Sequence, residues 1–121
     1  MEIRAIEERR AERQRLLGVA REYVKRLARR VDLVSAAVTG SVARGDFNVW
    51  SDIDVVVVAV DLPPRAPDRA ALLLEGAPPR VQPVGYTPAE LRHALARGNA
   101  LVREAVDHGF LLHGETLVPS G

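Results

Sequence analysis

The chain reads as an α/β (α+β) domain in which helices pack against a β-sheet, led by one long N-terminal helix. Three observations carry that reading. Residues 2–30 are dominated by good helix formers with no proline among them. Val55 to Val60 is an unbroken apolar run, as expected of a strand covered on both faces. Thr87-Pro88-x-Glu90 is a helix start, with Thr as N-cap, Pro at the first position and Glu three residues after the cap. The chain has 121 residues, the size of one domain. Its expected segments are a helix over 1–31, a core over 33–115 and a loose tail over 116–121.

In the first helix Leu16, Leu17, Ala20, Tyr23, Val24, Leu27 and Val31 recur at helical spacing and predict a core-facing stripe. Ahead of Leu16 the stripe thins to Ile3 and Ile6, followed by Arg9, Arg10, Arg13 and Arg15. Those first turns are expected to project from the body, to meet a second subunit, or to form a solvated basic face. Leu33 to Thr39 reads as a strand, 46–51 as a polar loop holding Trp50, and Asp52 to Val60 as a second strand. Pro67 to Leu74 reads as a short helix. Arg80 to Tyr86 reads as a third strand that Pro83 consigns to an edge or a bulge. The helix opened by Thr87 runs to about Arg97. Ala100 to Asp107 is a further helix, and Phe110 to Leu112 a last apolar strand.

Composition excludes several chemistries. There is no cysteine, so disulfides, thiolate catalysis and Cys-zinc sites are out. The first residues are charged, unlike a secretory leader, and the longest apolar run is far too short to span a bilayer. A soluble, cytoplasmic chain without membrane association is expected. Net charge is +1, yet residues 1–30 hold ten basic and five acidic side chains. All basic residues but Lys25 are arginine. His93, His108 and His113 are not spaced as a metal set.

The chemistry lies in Gly40-Ser41-Val42-Ala43-Arg44-Gly45-Asp46 and in Ser51-Asp52-Ile53-Asp54. Alternate residues of a strand share a face, so Asp52 and Asp54 point the same way. Two neighbouring carboxylates repel and raise each other's pKa; a divalent cation relieves that, and oxygen donors suit Mg²⁺. Gly40 allows close approach of a ligand to the backbone. The Ser41 hydroxyl and the N–H groups of a helix start favour an anion. Arg44 either contacts phosphate or braces the loop, and Gly45, counted with Gly40, Ser41 and Arg44 among the candidate phosphate-binding residues, permits a turn that a side chain would forbid. Trp50 either stacks on a base or covers the end of the sheet.

The pattern G-S-x10-D-x-D, with Arg-Gly-Asp in the loop and Ser before the first Asp, resembles the minimal nucleotidyltransferases of the DNA polymerase beta-like superfamily. Tyr86-Thr87-Pro88-x-Glu90 and the stretch from Val102 to Gly114 resemble it too. The resemblance implies the nucleotidyltransferase fold, a mixed, twisted sheet with packed helices. It implies transfer of a nucleotidyl group, AMP above all, from ATP or another NTP to a protein or small-molecule hydroxyl. Gly40 and Ser41 would hold the terminal phosphates, and Asp52 and Asp54 would bind Mg²⁺ as the catalytic acids. The family's third carboxylate falls at Gln82, where the side chain carries no charge and cannot serve as a base.

Minimal members of the family occur as antitoxins paired with HEPN-domain toxins, so a HEPN partner and a homo- or hetero-oligomer are implied. Gln82 sustains a second reading: a nucleotide- or partner-binding module of the same fold with weakened catalysis. Antibiotic modification ranks third, because a drug-binding domain or a dimer would be required. Nucleic-acid synthesis ranks lower, since no duplex-binding module is present.

Overall fold

The computed structural model describes residues 2–120; Met1, at the head of the first expected segment, and Gly121, at the end of the tail, lie outside the described residues. The elements run α1 (Ile3–Leu27), β1 (Leu33–Thr39), α2 (Gly40–Arg44), β2 (Ile53–Ala59), α3 (Ala66–Leu74), β3 (Val81–Tyr86), α4 (Pro88–Ala96), α5 (Ala100–His108) and β4 (Phe110–His113). The four strands form one sheet in the order β3-β2-β1-β4. β1 is antiparallel to both β2 and β4, whereas β2 and β3 are parallel. The sheet is therefore mixed, as the resemblance implied.

The valine run explains the layering. Val55 and Val57 enter one core with Leu16, Leu17, Leu27 and Leu73, beneath α1 and α3. Val56 and Val58 enter a second core with Leu91, Ala94, Val102 and Ala105, beneath α4 and α5. Strand alternation sends consecutive valines to opposite faces, and all four are buried. Each fully buried valine contributes about 1.5–3 kcal/mol relative to exposure, so this one strand ties both helical layers together.

In α1 the stripe from Leu16 to Leu27 is buried as its periodicity predicts. The Tyr23 hydroxyl donates to the Leu73 carbonyl at 2.8 Å, and burial pushes its pKa up to about 12. Thr87 and Glu90 close the reciprocal capping box that opens α4. Pro83 sits on β3, an edge strand, where a missing ladder donor is tolerated.

Two sequence expectations need revision. β2 begins at Ile53, so Asp52 lies just ahead of the strand, and Val60 has left it for the following turn. The tail is not loose throughout: Leu117 is buried in the second core and its carbonyl accepts the Ser35 hydroxyl at 2.7 Å. One apolar side chain and one buried hydrogen bond hold it, a signal too short to stand out in sequence.

Among the described residues no helix is long and apolar enough to cross a membrane.

Candidate functional site

The site is assembled where β1 ends and β2 begins. In the antiparallel register Thr39 stands opposite Asp54. In the parallel register Asp54 stands opposite Gln82. Paired residues project to the same face, so Thr39, Asp54 and Gln82 form one row across three strands. That face is the one covered by α4 and α5, since Ala37 and Val56, two residues away on β1 and β2, enter the second core.

Gly40 closes the row from the side. Its φ is +75°, and a Cβ built on it would fall 2.6 Å from Asp54 Oδ2. The glycine thus meets two demands at once, a left-handed backbone and direct contact with a carboxylate. From Gly40 the chain turns into the five-residue helix α2, which puts Ser41 next to that contact. The glycine-serine turn and the acid pair, eleven residues apart at their nearest in sequence between Ser41 and Asp52, converge in space.

Asp54 is half-buried and Asp52 exposed. Burial is the main cause that raises the Asp54 pKa, the Asp52 charge adds to it, and the Arg44 charge opposes both. Among the described residues neither aspartate has an ion-pair partner. The Thr39 hydroxyl, opposite Asp54, is buried with no hydrogen-bond partner. Two uncompensated carboxylates with an unpaired hydroxyl across the ladder form an all-oxygen donor set, and that set fits a hard divalent cation. No group of three His, Cys, Asp or Glu gathers among the described residues, because the third place in the row is Gln82.

Other site residues fall differently. Arg44 is paired with Glu104 of α5 at 2.7 Å and with Asp46 at 3.2 Å. Of the two sequence readings, the pairing supports the brace. Gly45 lies at the far end of α2 with φ +92°. Its N–H donates to the Ser41 carbonyl at 2.8 Å and its own carbonyl accepts from Arg9. Its left-handed φ is the turn the sequence expected there, and both its backbone groups are already engaged. Trp50 is 89% exposed, so it covers no sheet end.

Several contributors were missed in the sequence. Arg80 donates twice to the Ser51 carbonyl, at 2.7 and 3.1 Å, and so fixes the residue before Asp52. Arg13 donates to the Val42 and Ala43 carbonyls at 3.0 and 2.8 Å. Arg9 donates to the Gly45 carbonyl at 3.1 Å and also to that of Phe47. The expectation that the basic first turns project freely, or form only a solvated face, is therefore corrected at Arg9 and Arg13. The single available signal was their spacing of four, which places them on one helical face.

A glycine-serine turn thus abuts an acid on the second strand of a mixed sheet. The chain belongs to the nucleotidyltransferase domain family, whose match spans residues 20–104. It is, on that footing, a nucleotidyltransferase in the general sense. In structure it is similar to a candidate nucleotidyltransferase from Sulfolobus solfataricus, with a TM-score of 0.67, 22% identity, and coverage of 88% of this chain and 87% of that one. It is also similar to a chain of a toxin-antitoxin crystal structure with AMP-PNP, with a TM-score of 0.54, 26% identity, and coverage of 78% and 73%. No curated protein matches the chain.

Proposed function

We propose that the chain is a Mg²⁺-dependent nucleotidyltransferase that moves a nucleotidyl group, AMP in the first instance, from a nucleoside triphosphate to a hydroxyl of a protein or small molecule. The observation that carries the proposal is the contact between Gly40 and Asp54. It brings a turn suited to phosphate against a carboxylate suited to the cation that accompanies phosphate. Ser41 and the Gly40 backbone would bind the terminal phosphates. Asp52 and Asp54 would hold the cation, which when bound neutralises charge on the triphosphate and its pyrophosphate leaving group. The rigid valine strand behind Asp54 keeps that carboxylate aimed without reorganisation.

The toxin-antitoxin neighbour favours a protein acceptor. With the resemblance of the sequence to HEPN-paired antitoxins, it extends the proposal to a HEPN-domain toxin partner in a cytoplasmic hetero-oligomer.

Gln82 favours a second reading, a nucleotide-binding module with weakened transfer. Its register position beside Asp54 is where a third acid would share the cation. A neutral amide can lend its carbonyl oxygen but cannot take a proton from the acceptor hydroxyl.

One experiment separates the readings. The chain is incubated with Mg²⁺ and ATP labelled in its α-phosphate, with and without a candidate acceptor protein. Label transfer that disappears in Asp54→Ala supports the enzyme. Binding of ATP without transfer, together with transfer gained in Gln82→Asp, supports the module. Absence of ATP binding refutes both.

A further inference from the structure

We propose that Arg9 and Arg13 are positioning residues for the Gly40–Asp46 turn, so that the front half of α1 is a clamp on triphosphate capture. The inference rests on the nucleotide reading above.

The geometry is unusual for a helix surface. α1 is anchored in the core only from Leu16 onward, yet two arginines ahead of that point reach back to the turn. Their spacing of four puts both guanidinium groups on one face. Together they donate to the carbonyls of Val42, Ala43, Gly45 and Phe47. Carbonyls at a helix C-terminus have no intrahelical partner and carry partial negative charge, so a guanidinium suits them on both counts. The Ser41 carbonyl is already used by the Gly45 and Asp46 N–H groups. The arginines satisfy carbonyls that follow it.

Aromatic contacts fix the arginines in turn. The Arg9 guanidinium lies 4.6 Å from the centre of the buried Phe47 ring, and that of Arg13 lies 5.6 Å from the Phe110 ring. α2 is only five residues long, about 7 Å from end to end. Tilting its clamped end displaces Gly40 and Ser41 at the other, and with them the contact to Asp54. Misplacement of a reactive group by about 1 Å costs on the order of a hundredfold in rate, so four tethered carbonyls bear directly on the site.

The clamp stands apart from what holds the fold together. Arg9 is exposed and Arg13 half-buried, and neither belongs to either core, so removing both leaves no cavity there. Their loss should therefore alter phosphate capture far more than it alters folding. A purely structural hydrogen-bonding role would show the reverse.

The test uses the full chain as wild type, Arg9→Ala/Arg13→Ala, Arg9→Lys/Arg13→Lys, and Arg21→Ala, an exposed α1 arginine with no hydrogen bond or ion pair among the described residues. MgATP binding is followed by calorimetric titration, binding of Mn²⁺ alone by electron paramagnetic resonance, and folding by thermal melting. The double alanine variant should lose on the order of tenfold or more in MgATP affinity while its affinity for Mn²⁺ alone stays within about twofold, since the acids do not touch the clamp. The lysine variant should recover part of the loss, because an ammonium cannot reproduce the two-pronged fork. Arg21→Ala should match wild type. MgATP affinity unchanged in the double alanine variant would overturn the inference. So would parallel losses of MgATP, Mn²⁺ and melting temperature, or a lysine variant as weak as the alanine one. A wild-type chain that takes up no MgATP at all would instead overturn the nucleotide reading, and this inference would fall with it.

Discussion

Gly40→Ala separates the stability of the fold from the integrity of the site. A residue with a Cβ at φ +75° costs about 1–2 kcal/mol relative to a relaxed backbone. The new methyl would also lie 2.6 Å from Asp54 Oδ2, well inside the roughly 3.5–4.0 Å optimum for heavy atoms. The obstructing atom is the end of a side chain that can rotate, so the clash is relieved by swinging the carboxylate aside, at about 0.5–1.5 kcal/mol if it leaves a rotamer well. The sum is about 2.5 kcal/mol, which for a domain of this size lowers Tm by about 10 °C. The same rotation withdraws one of the two carboxylates from the proposed cation. Affinity for Mn²⁺ should then fall about tenfold or more, in protein that is still folded at about 20 °C. Scanning calorimetry and a Mn²⁺ titration read the two effects. Gly18→Ala is the control: a methyl group added to this α1 glycine would meet no atom within 4 Å, and the exchange should stabilise by about 0.5–1 kcal/mol. If Gly40→Ala kept wild-type Mn²⁺ affinity, the claim that the turn and the acid pair form one site would fail.

Four further outcomes follow from the same geometry. The raised Asp54 pKa means that the ionised carboxylate costs stability at neutral pH. That cost should vanish as pH falls through the raised native value towards the ordinary 3.8. Asp54→Asn should accordingly raise the metal-free Tm at neutral pH, with the gain over wild type shrinking in melts at successively lower pH. Mg²⁺ at about 100 times its Kd should stabilise the wild type by about 2.7 kcal/mol and leave Asp54→Asn unmoved in the same melts. Gln82→Glu, adding a charge beside Asp54, should lower the metal-free Tm and tighten Mn²⁺ binding, read by the same titration. Tyr23→Phe removes the hydrogen bond to the Leu73 carbonyl and should cost about 1 kcal/mol in urea unfolding.

Much of this architecture was legible because its signals are local. The helical stripe of α1, the valine run of β2 and the capping box at Thr87 each follow from a few neighbouring residues, and each appears in the structure. The acid pair and the glycine-serine turn were also readable, since the strands that present them adjoin in sequence. What escaped was the role of arginine. Arg9, Arg13, Arg30, Arg69 and Arg80 all donate to backbone carbonyls, most of them remote in sequence. A carbonyl leaves no mark in the amino-acid code, so a run of arginines on a helix looks the same whether solvent or main chain receives it. Leu117 escaped for a related reason: its burial depends on where the sheet face lies, not on any pattern around it.

The clamp on α2 has an evolutionary corollary. Arg9 and Arg13 grip oxygen atoms that every residue type carries, so the grip on the Val42 and Ala43 carbonyls does not depend on the side chains there, whereas Val42 and Phe47 are themselves core residues. At Ala43, which is only half-buried and is not at the acid contact, drift should therefore be tolerated more readily than drift at the two guanidinium groups that grip its carbonyl.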